Sequence, residues 1–176
     1  QFVSVAHKLG VDNYPVHIKL DTGMHRLGFM NNELEDLLSQ IKKEKSIRVA
    51  SIFSHLAASD DSAFKEFTHA QADLFKRMSN KIIDAIGYKP ILHLCNTAGI
   101  VSFPEYHFDM VRLGLGMYGI DGSGALTNQL QQISTLKTTI AQIKNIAAGE
   151  TIGYSRKGRV DKDMKVATIC IGYARS

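Results

Sequence analysis

Only two cysteines occur among the 176 residues, Cys95 and Cys170, and neither stands in a CxxC pair or at zinc-site spacing from a histidine. That scarcity excludes a disulfide framework and predicts no metal site; the apolar neighbours of both cysteines predict buried thiols in a reducing, cytoplasmic compartment. No run approaches the roughly 18 apolar residues of a membrane span, and the first residues lack a signal peptide's charged and apolar regions. An aromatic ladder beside a basic stripe is missing too. The net charge of +4 and pI near 9.0 come from Lys and Arg interleaved with Asp and Glu, which predicts a solvated surface with a few anion ligands and no nucleic-acid partner.

What is present predicts a folded chain: 44% apolar and 22% charged residues suffice for one sizeable core. In the segment 16–21, Val16, Ile18 and Leu20 alternate with His17, Lys19 and Asp21, so period two places three polar groups on one face of a strand. Opposite charges on such a face are costly unless paired, which marks a site. Residues 31–45 follow as a helix, with Leu34, Leu37, Leu38 and Ile41 on one stripe and Asn31 or Asn32 as its cap. Residues 47–55 read as a strand, 62–86 as a long helix stopped by Gly87, 91–95 as a strand, 97–103 as a short helix and 109–113 as a fourth strand. Strands alternating with helices imply right-handed units on a parallel sheet, hence an α/β fold. After Gly122-Ser123-Gly124 the texture turns β-rich, predicting a first domain over residues 1–124 and a second over 125–176, with the boundary near 122–132. Residues 1–9 read as the middle of an amphipathic helix without a cap, an expectation that the chain is part of something longer.

In an eight-stranded barrel, function sits where strands end, and the candidates fall there. They are Lys19, Asp21 and Arg26, then His55, then Asn96 and Thr97, then residues 112–116. Gly114-Leu115-Gly116-Met117-Tyr118-Gly119 has the GxGxxG spelling, but it follows a fourth strand instead of opening a βαβ unit, and Asp121-Gly122-Ser123-Gly124 breaks any helix behind it. A glycine-exposed backbone meeting a single phosphate, with the Thr97 hydroxyl as a second donor, is the better reading; a plain turn is the blander one. His55 reads equally as a satisfied core histidine. Lys19 in a barrel mouth could form a Schiff base, so an aldolase competes, although Asp21 and Arg26 around the amine suit a structural ion network better. His7, His69 and His107 are assigned to surface or packing.

Several spaced motifs in order carry a resemblance to the bacterial alanine racemases. They are Lys19-Leu20-Asp21-Thr22-Gly23-Met24-His25-Arg26-Leu27-Gly28, Ser54-His55, Asn96-Thr97-Ala98, the run from Met110 to Gly119, Ile152-Gly153-Tyr154 and Ile171-Gly172-Tyr173-Ala174. The resemblance implies the C-terminal half of a (β/α)8 barrel binding pyridoxal 5'-phosphate (PLP), followed by the start of a β-rich domain. It also implies a homodimer with shared active sites that interconverts L- and D-alanine for cell-wall peptidoglycan. It places Arg112 at the pyridine nitrogen, oriented by His55, and Asn96, Thr97, Gly114 and Leu115 at the cofactor. Arg26 falls near the phenolic oxygen and the substrate carboxylate, Lys19 at a carbamylated position, Tyr154 as the second base and Tyr173 at the substrate entrance.

Two departures stand beside it. The family's cofactor-bearing lysine belongs to an earlier strand outside this sequence, so the chain alone is expected to be inactive. Arg175-Ser176 replaces the usual Asp-Gly. Alternatives are a related PLP racemase for another small amino acid, the Lys19 aldolase, and a non-catalytic fragment.

Overall fold

A computed structural model describes residues 2–126 and 128–172. The chain divides into two compact units between Ile133 and Ser134. The first contains α1 (Phe2–Lys8), β1 (Tyr14–Lys19), α2 (Leu34–Ile41), β2 (Ile47–Phe53), α3 (Lys65–Ile86), β3 (Ile91–His93) and α4 (Thr97–Ser102). Parallel pairing in the order β1-β2-β3 gives an α/β sheet.

Strand period and helix stripe meet in one core. Ile18, Leu20, Val49, Ile52 and Leu92 supply the sheet's buried face, and Leu34, Leu37, Leu38, Ala72, Phe75, Met78 and Ile82 supply the helices. These helical residues recur at three- and four-residue spacing, the repeat that keeps one stripe on the sheet. Gly87 ends α3 in the left-handed region (φ 76°), its N–H bonded to the Ile83 carbonyl. The opposite face of the sheet carries His17, Lys19, Ser51, Phe53 and His93, which the register sets on adjacent strands.

Two expected elements fall well short of their patterns. The helix expected over 31–45 begins as a 3₁₀ turn, Asn31–Glu33, and its α-helical part stops at Ile41. Its start is held by Glu33, whose carboxylate accepts the Met30 N–H at 2.8 Å, and not by a cap at Asn31 or Asn32. The strand expected over 109–113 is reduced to one bridge, His93 with Met110. Its ladder is replaced by other bonds: the Asp109 carboxylate takes the Leu92 N–H (2.9 Å) and Lys89 (2.8 Å), while the Arg112 N–H reaches the Cys95 carbonyl.

The first unit runs to Ile133, and the segment after Gly119 folds back on it. A Cβ at Gly119 (φ 79°) would lie 2.2 Å from the Gln131 carbonyl oxygen, so only glycine permits the approach.

In the second unit, β4 (Ile140–Ile146) pairs antiparallel with β7 (Met164–Ile169), and β5 (Thr151–Ile152) with β6 (Gly158–Arg159). A turn between β4 and β5 places Gly149 at φ 88° with its N–H on the Val160 carbonyl. Cys95 is buried as expected, but Cys170 is exposed, because it follows β7 in a two-stranded ladder whose residues are largely open to solvent. No described helix is long and apolar enough to cross a membrane.

Candidate functional site

The loop after β1 is built by Asp21. Its Oδ1 accepts the N–H groups of Gly23, Met24 and His25 at 3.0, 3.1 and 3.0 Å, so one buried carboxylate folds the chain back on itself. Burial works to raise the Asp21 pKa, but these backbone donors and the His25 ring outweigh it and hold the carboxyl below its ordinary value. Phe29 then closes the loop against β1, donating to the Lys19 carbonyl and accepting from the Asp21 N–H. The expected ion network is corrected here: among the described residues Asp21 makes its ion contact with His25 at 3.8 Å, and not with Lys19 or Arg26. Lys19 is half-buried at the end of β1, and Arg26 is exposed on the loop.

Arg112 gathers the ends of β2 and β3. Its NH1 donates to His93 Nδ1 at 2.7 Å and to the His93 carbonyl at 3.3 Å. Its NH2 donates to the carbonyls of Ser54 (2.7 Å) and Leu94 (3.1 Å) and to His55 Nδ1 (3.3 Å). The guanidinium also lies over the Phe53 ring, which stacks on His93 with centroids 4.9 Å apart and planes 4° from parallel. Carbonyls and neutral imidazoles hold this cation, and among the described residues no carboxylate pairs with it. Burial lowers the Arg112 pKa from the usual arginine range.

The two histidines respond to that charge. His93 is driven down to about 4 by burial, then by Arg112 and His17, so it is neutral at pH 7. His55 is lowered by burial, then by Arg112, Arg26 and Lys19 in that order, which shows four groups predicted from sequence sharing one electropositive neighbourhood.

Thr97 and the glycine run form the other half of the site. The Thr97 Oγ1 accepts the N–H groups of Gly114 (3.0 Å) and Gly116 (3.2 Å). A Cβ at Gly116 would lie 2.9 Å from Thr97 Cγ2, so glycine is what lets the backbone close on the hydroxyl. Leu115 opens the 3₁₀ turn Leu115–Tyr118, where an N–H has no partner inside its own helix. Asn96 sits beside this cradle, but its side chain is spent on the frame: Oδ1 accepts from Gly99 N–H and Ser59 Oγ, and Nδ2 donates to the Leu56 carbonyl.

Sequence reasoning missed His93, Ser51 and the reach of His17. Ser51 Oγ lies 3.0 Å from His93 Nε2 and is hydrogen-bonded to His17 Nδ1. The available signal was inward placement by period two on three neighbouring strands. The three histidines set aside are peripheral to the site: His7 pairs with Glu44, His69 with the Tyr106 hydroxyl, and His107 with the Ile100 carbonyl.

Tyr154 belongs to the second unit, in a 3₁₀ turn, Tyr154–Arg156, joining β5 to β6, and is 91% exposed. Tyr173 and the Arg175-Ser176 departure lie outside the described residues.

Known proteins share both units. Residues 3–122 match the alanine racemase N-terminal domain and residues 133–176 the alanine racemase C-terminal domain. An alanine racemase of Clostridium tetani is 36% identical over 163 residues, covering 90% of this chain and 42% of its own length. The chain thus spans less than half of the curated relatives it matches. Alanine racemase of Bartonella henselae, solved with covalently bound pyridoxal phosphate, superposes with a TM-score of 0.66 at 27% identity, over 98% of this chain and 46% of that one. The Bacillus anthracis enzyme with bound L-Ala-P superposes with a TM-score of 0.65, also at 27% identity, over the same shares of the two chains. With matches to both domains in their order along the sequence, the chain belongs to the alanine racemase family.

Proposed function

We propose that the chain forms the C-terminal half of a PLP-binding (β/α)8 barrel and the start of the following β-rich domain, in an enzyme that interconverts L- and D-alanine. The observation that carries this reading is the guanidinium of Arg112, held by carbonyls and neutral imidazoles beside the Thr97–glycine cradle.

The donor set fits the cofactor. PLP presents a basic ring nitrogen, a phenolic oxygen and a phosphate, and this site offers a planar cation, the Thr97 hydroxyl, which accepts two glycine amides and keeps its own hydrogen to donate, the Leu115 amide and two further cations, Lys19 and Arg26. PLP supplies an electron sink that acidifies the α-proton of a bound amino acid. Arg112 would donate to the ring nitrogen while keeping its own proton, since a guanidinium is a far weaker acid than a carboxylic acid; this restrains the sink and the side reactions it opens. Thr97 and the Leu115 backbone would hold the phosphate, with Gly114, whose N–H is bonded to Thr97 Oγ1, placing that hydroxyl and Asn96 fixing α4 beneath it. Arg26 would reach the substrate carboxylate. Lys19, if carbamylated, would become an anion able to hold Arg26 in place.

Racemisation needs proton transfer on both faces of the α-carbon. Tyr154, on an exposed turn, is suited to enter a second subunit's site, which supports a homodimer with shared sites. With an unperturbed pKa near 10 it would need nearby cations to act as a base. Tyr173 is assigned to the substrate entrance. Supply of D-alanine to cell-wall peptidoglycan and a cytoplasmic setting complete the reading.

The test is racemisation of alanine by the intact polypeptide carrying this chain, followed by circular dichroism. We expect each enantiomer to relax to an equal mixture, with loss of activity on removing PLP and recovery on adding it back. Turnover of another small amino acid with none of alanine would replace alanine by that substrate.

A further inference from the structure

We infer that His17 and Ser51 are positioning residues that fix the tautomer of His93 and thereby keep a hydrogen-bond acceptor turned towards Arg112. The chemistry of each partner dictates the direction of the chain. A guanidinium has donors only, so the His93 Nδ1 that lies 2.7 Å from Arg112 NH1 must be the unprotonated nitrogen of a neutral ring. The ring proton is therefore on Nε2, which donates to Ser51 Oγ at 3.0 Å. Ser51 is 1% exposed and has one hydroxyl hydrogen, which it gives to His17 Nδ1. His17 is exposed at the other end, so its own ring proton sits on Nε2 where water can take the bond.

Reversing any link is costly. A proton on His93 Nδ1 would set an N–H against the cationic NH1 and leave a lone pair facing the Ser51 oxygen. Removing the serine hydroxyl would leave the His93 N–H buried without an acceptor, and the ring could then redistribute its proton. The three residues come from β1, β2 and β3 and share the face on which Arg112 lies, so the sheet's register assembles the relay. The relevance of this relay to catalysis rests on the function proposed above; the tautomer itself does not.

The experiment is long-range ¹H–¹⁵N NMR on the intact, PLP-loaded polypeptide labelled with ¹⁵N-histidine. The wild type should show His93 with Nδ1 unprotonated and Nε2 protonated. In Ser51→Ala and His17→Leu the two His93 nitrogens should move towards an averaged pattern, and kcat should fall roughly 10–100-fold with little change in KM, the range seen when an orienting partner is lost. His17→Asn, which keeps an acceptor where Nδ1 stood, should restore the wild-type His93 pattern. Unchanged His93 nitrogens in His17→Leu would overturn the inference, and this exposed position decides the matter if Ser51→Ala does not fold. A wild type that shows the relay but binds no PLP would overturn the proposed function and leave the relay standing.

Discussion

Gly28 lies against the backbone of Asp21 so closely that a Cβ built on it would come within 2.9 Å of the Asp21 nitrogen, and its φ of 118° is one that side chains rarely adopt. The loop carrying Arg26 is closed at this point. Gly28→Ala should therefore combine backbone strain with a clash against main-chain atoms that cannot swing away, costing about 2–4 kcal/mol. Urea unfolding would measure it, and a loss within 0.5 kcal/mol of zero would mean that the loop relaxes freely.

Asn96 joins α4 to the loop after β2 through Ser59 and Leu56. Asn96→Ala removes a helix cap and two ties at once, so we expect about 1–2 kcal/mol of destabilisation and weaker PLP retention through displacement of Thr97. Unchanged stability would show that the cap is dispensable.

Stability should fall as the solution is acidified from pH 6.5 towards 4. His93 takes a proton near its ordinary 6.5 in the unfolded chain but only near about 4 in the folded one, so over this window the unfolded state binds more protons. The full effect is on the order of 3 kcal/mol. His55, lowered in the same direction, adds to it, whereas Asp21 is lowered from a carboxylate's ordinary 3.8 and acts below this window. Urea titrations at pH 7.5 and 5.0 should show the drop, and His93→Gln should reduce it; an equal drop in His93→Gln would assign it to other groups.

The first unit's frame is readable from residue spacing because local pattern and global burial agree there: the alternation of Val16 to Asp21, the long helix ending at Ile86 and its stop at Gly87 are found, although the buried face of α3 runs through Thr68, Gln71, Phe75, Met78 and Ile82 and leaves Phe67 exposed. The strand expected at 109–113 failed because its apolar residues resemble a strand while Asp109 and Arg112 spend their bonds on β3 and its neighbours. Candidate site residues at strand ends were visible for the same reason. His93 was hidden inside an apolar run, and its partners Ser51 and His17 are 42 and 76 positions away in sequence, a contact that no local period displays.

Tyr154→Phe keeps the ring and deletes the hydroxyl. If the proposed dimer shares its sites, racemisation by it should fall by roughly 10²–10⁴, the range for a general base, and exchange of the α-proton with solvent should survive for one enantiomer alone. Exchange of both enantiomers at parental rates would exclude Tyr154 and direct attention to Tyr173.

In the proposed enzyme Arg112 serves the ring nitrogen of PLP. Nuclear magnetic resonance of the intact polypeptide loaded with PLP carrying ¹⁵N in its ring reads that nitrogen directly. We expect an unprotonated, hydrogen-bonded nitrogen at pH 7.5, with a resonance that shifts in Arg112→Lys, where the planar fork is lost and the ammonium can give up its proton. A protonated nitrogen whose resonance is indifferent to Arg112→Lys would contradict that role.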